Sequence, residues 1–557
     1  MTSLLRLLAL VGAVSLPLAP VVGQVSQPSL NEVHARYAAP LTDQLEDMDT
    51  APADDDLASV LAESYDSNPA LAAQRYDLRA TDDGLGIALS RTRATVQFQA
   101  TTGYDYTDPG AITQAARPLA DRLNNPDIER NDVATQLVVE QPLWTGGRAF
   151  AETRSARADI AAGREALRGA EGNLLVDLIA AYADVRRDGK VLSIRERNVT
   201  VLGQTLAEVV ARRRAGELTR TDIAQAETQL MAAEVQLTAA QAQLEASRST
   251  FTRLVGRTPG RLAPEPPLPL IPASVDEALD VAAQANPDLA VALLNERASR
   301  ARIAQARAEA SPTIGLRGTA GTTGPVSPFD RRDQDITLGA RATLTVPLIN
   351  GGRIQAQIAQ AKNRNSADLL RVEASRRDIV DSVFTTWNAW ASAKRNVEMQ
   401  SVQLQAARIY YDGTFKEYRE GLRSTFDVLF AQNQLRETEI ALISNRRDAY
   451  VAQAVLLRRI GKLDVASLLD GPKLYDPAEY TRQVERRGAL PWDFGFRVLD
   501  IIDHPSDRPQ RMEQLKPSNN TPVIASPTTE QEPTIVPARA AMPLPNHSPR
   551  QKAGNHE

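Results

Sequence analysis

Residues Gln141 to Gly256 recur, without insertion or deletion, 205 positions later as Val346 to Gly461. A chain that carries one supersecondary unit twice is constrained to fold as two related halves. At that offset Pro142-Leu143 aligns with Pro347-Leu348, and Gly146-Gly147-Arg148 with Gly351-Gly352-Arg353. Arg214 aligns with Arg419, Gly216 with Gly421 and Asp222 with Asp427. An upstream echo, Asn68-Pro69 against Asn286-Pro287, is spaced 218, so the first copy holds 13 extra residues, around Tyr106 to Asp132.

Between these landmarks the chain alternates two kinds of pattern. Arg148 to Arg214 is free of proline and helix-compatible throughout; its 67 residues make a rod of about 100 Å at the rise of an α-helix. Thr219 to Gly256 runs back, the Pro-rich stretch Pro259 to Pro272 interrupts, and Val275 to Ala310 resumes. The second copy repeats the plan as Arg353 to Arg419 and Thr425 to Gly461, with Leu57 to Arg93 as the remaining helical stretch. Rods this long must pack along one another. Seams such as Leu174, Ile179, Tyr182 and Val185, with Ala180, Ala181, Ala239 and Ala240 for close approach, supply the contact.

Two segments alternate with period 2 and read as hairpins, 94–144 and 313–348. In the first, Val96, Phe98, Ala100, Tyr104 and Tyr106 share a face, and Gln97, Gln99, Thr101 and Asp105 the other. In the second, Ile336, Leu338, Ala340, Ala342 and Leu344 alternate with Thr337, Gly339, Arg341 and Thr343. Strands of this length with one apolar and one polar face suit a membrane barrel with a wet interior, or a soluble sandwich with one buried face. Four strands leave two open edges, and in hydrocarbon an edge would leave backbone N–H and C=O groups unpaired. A membrane barrel must therefore close between copies, and three copies, giving twelve strands, are the fewest that leave a lumen.

The ends and composition narrow the class. Residues 1–23 read as a signal peptide, with Arg6 before the apolar Leu7 to Leu16; 24–55 is a polar leader. Residues 56–273 form the first repeat and 274–461 the second; 462–502 is a mixed equatorial segment and 503–557 a disordered tail. No stretch of about 20 apolar residues exists, which argues against a helical membrane protein. The absence of cysteine removes disulfides, thiol chemistry and a lipid-bearing cysteine. Loss of Arg6 with the signal takes the net charge from −5 to −6, a mild value that points to no nucleic-acid partner. The four histidines form no metal or catalytic set, and no nucleophile elbow, P-loop or dinucleotide fingerprint occurs, so no cofactor and no enzyme activity are expected.

The run Gln141-Pro142-Leu143-Trp144-Thr145-Gly146-Gly147-Arg148 resembles the strand-to-helix junction of the TolC-type outer-membrane efflux and secretion channels. The turns Arg214 to Asp222 and Tyr418 to Leu429 are similar to the family's tip turns, and the resemblance extends from about Asp56 to Leu463. It implies an α+β membrane protein: a homotrimer in the outer membrane with a 12-stranded β-barrel, four strands per chain, and a long α-helical barrel crossing the periplasm. It implies a passive duct whose periplasmic tip opens when a periplasmic adaptor (membrane fusion) protein and an inner-membrane ABC or proton-driven transporter dock. The turn at 216–222 and the run 427–432 look more like the type I secretion branch than the drug-efflux branch.

By the same resemblance Asp222, Thr221, Tyr418 and Arg423 match positions that hold the tip shut, and Asp427 a carboxylate that narrows the mouth. A second acidic position, one turn on, is Phe430 here. Thr219-x-x-Asp222 and Ser424-x-x-Asp427 also read as capping boxes that start the returning helices. Gly216 and Gly421, with Arg214 and Arg419 beside them, end the outgoing helices and are candidate adaptor contacts. Arg212, Arg213 and Arg220 read as further adaptor contacts or a solvated face. Pro142, Gly146, Gly147, Pro347, Gly351 and Gly352 read as structural junctions, since proline ends ladder pairing and glycine relaxes the backbone. Two other readings remain: a soluble periplasmic coiled-coil scaffold, and an enzyme with a helical appendage.

Overall fold

The computed structural model describes residues 55–106, 129–326, 332, 334–468 and 475–489. All lie within Met1–Asp503, one of two compact units of the chain. The signal, nearly all of the leader, the loop of the first hairpin and the tail therefore fall outside the described residues, as do parts of 462–502.

The first half comprises α1 (Leu57–Ser67), α2 (Pro69–Ser90), β1 (Thr95–Tyr106), β2 (Glu129–Trp144), α3 (Arg148–Arg214) and α4 (Arg220–Val255). The second comprises α5 (Val275–Ala285), α6 (Pro287–Ala308), β3 (Thr313–Pro325), β4 (Asp335–Thr345), α7 (Arg353–Arg419) and α8 (Thr425–Arg459). Two short helices, α9 (Val465–Leu468) and α10 (Pro477–Arg486), follow. Both α3 and α7 are 67 residues long, so the repeat is conformational as well as sequential.

The helical stretches 57–93 and 275–310 are each divided, at Asn68 and at Asn286, rather than continuous. The residue before a proline avoids the helical region, and both asparagines are extended, with φ −67° and ψ 119° or 122°. Asn68 Oδ1 accepts from the backbone of Ala70 and Leu71 and so starts α2, with Pro69 at the first helical position. Its Nδ2 donates to the Leu254 carbonyl at 3.0 Å. Asn286 caps α6 through Asp288 and Leu289 and donates to the Arg459 carbonyl at 2.7 Å.

Helix α3 packs against α2 and α6 along its first half and against α4 and α8 along its second, while α7 packs on α6 and α8. The main core lies midway, where Leu178, Ile179, Tyr182, Phe251, Leu456 and Leu457 are fully buried. Each such aliphatic side chain contributes about 1.5–3 kcal/mol by leaving water. The Pro-rich linker crosses here as a belt: Tyr182 donates to the Ala263 carbonyl at 2.7 Å and Tyr450 to that of Pro266 at 2.8 Å. Arg257 grips Asp55 with two hydrogen bonds and Glu63 with a third, and the guanidinium holds the Asp55 carboxyl below its usual range.

The four strands form one antiparallel sheet in the order β1-β2-β3-β4, so β1 and β4 are its edges. The register sorts side chains by face, because directly opposed residues point the same way. Phe98, Leu137, Ala320 and Leu338 make one row of the apolar face, and Val96, Val139, Gly318 and Ala340 the next. The polar face carries Gln99, Gln136, Gly321 and Thr337 in one row and Thr95, Glu140, Arg317 and Arg341 in another. The apolar face is uncovered by the rest of the chain: Phe98 is 70% exposed and Leu338 80%.

Strand becomes helix at the paired glycines. Gly147 and Gly352 have φ of 80° and 81° and occupy the N-cap positions of α3 and α7, where a left-handed backbone favours glycine. Thr145 Oγ1 accepts the Ala149 amide at the first junction, and Asn350 Oδ1 accepts the Ile354 amide at the second.

Candidate functional site

The two helical hairpins, α3–α4 and α7–α8, turn at Gly216 and Gly421, and the resemblance-derived residues cluster around these turns. Each outgoing helix ends in a Schellman motif. The Glu217 and Gly216 amides donate to the carbonyls of Arg212 and Arg213, and the Leu422 and Gly421 amides to those of Glu417 and Tyr418. The glycines, at φ 88° and 76°, supply the left-handed residue this motif requires.

Each returning helix starts with a reciprocal capping box. Asp222 Oδ2 accepts the Thr219 amide at 2.8 Å and its hydroxyl at 2.7 Å. Asp427 Oδ2 accepts the Ser424 amide at 3.0 Å and its hydroxyl at 2.7 Å. The capping reading is thus realised at both carboxylates. Both are held below the ordinary carboxylate range, Asp222 chiefly by the Thr219 amide and Asp427 chiefly by the Ser424 hydroxyl.

The two turns of one chain are joined by Arg212. Its Nη1 donates to the Tyr418 hydroxyl at 2.7 Å, its guanidinium lies 5.1 Å from the centre of the Tyr418 ring, and its Nε donates to Glu217 at 2.9 Å. Tyr418 is buried. Arg423 donates to Glu417 of its own turn at 2.8 Å. The fold therefore brings Tyr418, Arg423 and Asp427 to one turn and Thr221 and Asp222 to the other, with Arg212 as the bridge between turns. Thr221, Arg214, Arg220 and Arg419 are exposed. In the sequence an arginine near a helix end reads as solvated, which conceals the Arg212 bridge. The repeat held the signal: it aligns Tyr418 with Arg213, so parallel tips set the neighbouring Arg212 beside it.

Above the turns the hairpins are joined by polar contacts that the sequence reading did not single out. Arg195 of α3 donates to Gln236 of α4 at 2.7 Å and to Glu437 of α8 at 2.8 Å. Gln432 and Asn198 meet between α8 and α3, beside the buried Arg436–Glu439 pair. Beside the second turn Phe426 and Phe430 stack on the exposed side of α8, with ring centres 6.3 Å apart.

Among the described residues no cluster could hold a metal ion, and no helix is long and apolar enough to cross a membrane. A sequence model of the outer membrane efflux proteins matches residues 60–257 and 278–462, one segment per repeat. The chain belongs to the outer membrane efflux protein family. That membership assigns it to the outer membrane, with its helices extending into the periplasm, and to the channels of tripartite efflux and secretion systems.

Among relatives of this outer membrane efflux protein, the outer membrane efflux protein BepC of Brucella suis is 28% identical over 444 residues, covering 80% of this chain and 92% of BepC. The alkaline protease secretion protein AprF of Pseudomonas aeruginosa is 25% identical over 351 residues, 61% of this chain and 72% of AprF. The crystal structure of the Campylobacter jejuni CmeC outer membrane channel shares the fold, with a TM-score of 0.64 at 13% identity, over 77% of this chain and 89% of that one.

Proposed function

We propose that three copies of this chain close into a 12-stranded barrel and serve as the passive exit duct of a tripartite secretion or efflux machine. The observation that carries this is the sheet: four strands, two edges and an apolar face open along its length. A soluble scaffold would need that face covered. In lipid the face is satisfied, and edge β4 of one copy pairs with edge β1 of the next.

The helices favour the same cyclic arrangement. Exposed apolar residues Leu370, Val380, Phe384, Met399, Val402 and Ile409 line α7 at one side of the helix order. Tyr76 and Ile87 of α2 and Met231 and Val235 of α4 are exposed elsewhere on the chain. Two different surfaces that complement one another make a head-to-tail contact, which closes as a ring.

The tip turns are the gate. Links through Asp222, Thr221, Tyr418 and Arg423 hold neighbouring hairpins together, Asp427 narrows the mouth, and Gly216, Gly421, Arg214 and Arg419 meet the adaptor. Charge-assisted hydrogen bonds suit a latch, because a docking partner can offer equivalent groups in exchange. The turn sequences favour type I protein secretion; of the two relatives, AprF is named for alkaline protease secretion and BepC for efflux.

Current across planar bilayers tests the gate. Arg423→Ser combined with Tyr418→Phe should raise the closed-state current, and an unchanged current would remove these residues from the latch. For the branch, deletion of the gene should deplete a protein from the culture medium; drug sensitivity with an unchanged secreted protein profile would contradict the secretion assignment.

A further inference from the structure

The polar face of the sheet carries an unusual row next to the helices: Thr95, Glu140, Arg317 and Arg341, in register across all four strands. Arg317 and Arg341 are direct cross-strand partners. Like charges so placed destabilise a sheet. Only one of the two is compensated: Arg317 lies 3.5 Å from Glu140, with 51% of each side chain exposed. Arg341 has no acidic partner among the described residues and is exposed.

The surroundings leave both guanidiniums open. On the same face Gly315 and Thr319 flank Arg317, and Gly339 and Thr343 flank Arg341. A Cβ placed on Gly315 would meet nothing within 4 Å. Farther along the face come uncharged Gln97, Gln99, Gln136 and Thr337, and the acidic groups Asp105, Asp132 and Asp335 sit at the opposite end. The row therefore presents two guanidiniums against one carboxylate, separated from the acidic end by neutral residues.

We propose that Arg317 and Arg341 form an oxyanion-binding girdle at the helix-proximal end of the barrel interior, engaging carboxylate or phosphate groups of solutes in transit. This rests on reading the polar face as the lumen. Guanidinium is suited to the role: it is charged at every relevant pH and its planar donors match carboxylates and phosphates. In a ring of copies the row recurs in each subunit and concentrates anions at one level of the duct.

Reversal potentials of the full-length protein in planar bilayers under a potassium chloride gradient test this, together with block by inorganic tripolyphosphate or a hexaglutamate peptide added on the barrel side. Arg341→Gln should shift the reversal potential toward that of potassium and weaken the block, whereas Glu140→Gln should shift it toward that of chloride. Block by tripolyphosphate alone would identify small oxyanions as the ligands, and block by both probes would extend the class to polypeptide carboxylates. Arg341→Gln relieves a like-charge pair, so its detergent-extracted form should melt no lower than wild type. Pores that conduct with the same selectivity and block in wild type and Arg341→Gln would overturn the girdle alone. A wild type that forms no pores would overturn the duct reading and the girdle with it.

Discussion

The Arg212 guanidinium donates to the Tyr418 hydroxyl at 2.7 Å, tying the two helical hairpins of one chain together beside their turns. Hydrogen bonds to charged groups contribute about 1.5–3 kcal/mol when shielded. The Arg212 side chain is 33% exposed, so solvent screening reduces the expected coupling to about 1 kcal/mol. A double-mutant cycle of Arg212→Ala and Tyr418→Phe, read by thermal melting in detergent, should return a coupling of that size. Additive effects would show that the bridge holds nothing.

Asn68 and Asn286 play the same part in the two halves, each capping one helix and donating to a carbonyl near the end of another. Loss of a cap costs about 0.5–2 kcal/mol, typically nearer 1. Asn68→Ala and Asn286→Ala should each lower stability by a little more than a cap alone, because each also frees a carbonyl, and the pair should be additive. Melting of the single and double variants measures both.

The halves are unequal at another matched pair. Gly256 and Gly461 both have positive φ, but a Cβ on Gly256 would meet nothing within 4 Å, whereas one on Gly461 would lie 2.3 Å from the Ala285 carbonyl oxygen. Gly256→Ala should cost about 1–2 kcal/mol for the left-handed backbone alone. Gly461→Ala should cost clearly more, since the obstacle is backbone and cannot swing away. Equal losses of yield and melting temperature would contradict the packing described.

These pairs also mark what sequence could and could not disclose. The fold class was legible because duplication, proline-free rods and period-2 segments with one apolar face are long-range patterns that survive local accidents. The division of the helices at Asn68 and Asn286 was less so, because apolar spacing continues across the break while the pre-proline backbone does not. The capping boxes were readable from Thr219 with Asp222 and from Ser424 with Asp427, because the two members of each pair lie only three residues apart. The Arg317–Arg341 row depends on cross-strand register, which the folded chain supplies, and the Arg212–Tyr418 bridge on how the two turns pack, for which the repeat supplies only the alignment.

Acid should loosen the tip turns. Both capping carboxylates have folded pKa values lowered below the ordinary 3.8 by their hydrogen bonds. Their contribution is therefore fully present above the unfolded value and is lost as pH falls through the folded one. Hydrogen exchange of the tip segments, corrected for intrinsic rates, should show constant protection at neutral pH and a decline below about pH 4. In an Asp222→Asn, Asp427→Asn variant protection should start lower and lose that pH dependence; an identical decline in the variant would assign the effect to other groups.

A sheet of four strands with two open edges makes the number of chains that complete the barrel the deciding quantity. The mass of the protein extracted from outer membranes in mild detergent, measured by light scattering with the detergent contribution removed, should correspond to three copies that separate on heating. A protein that is monomeric and remains in solution without detergent would contradict it.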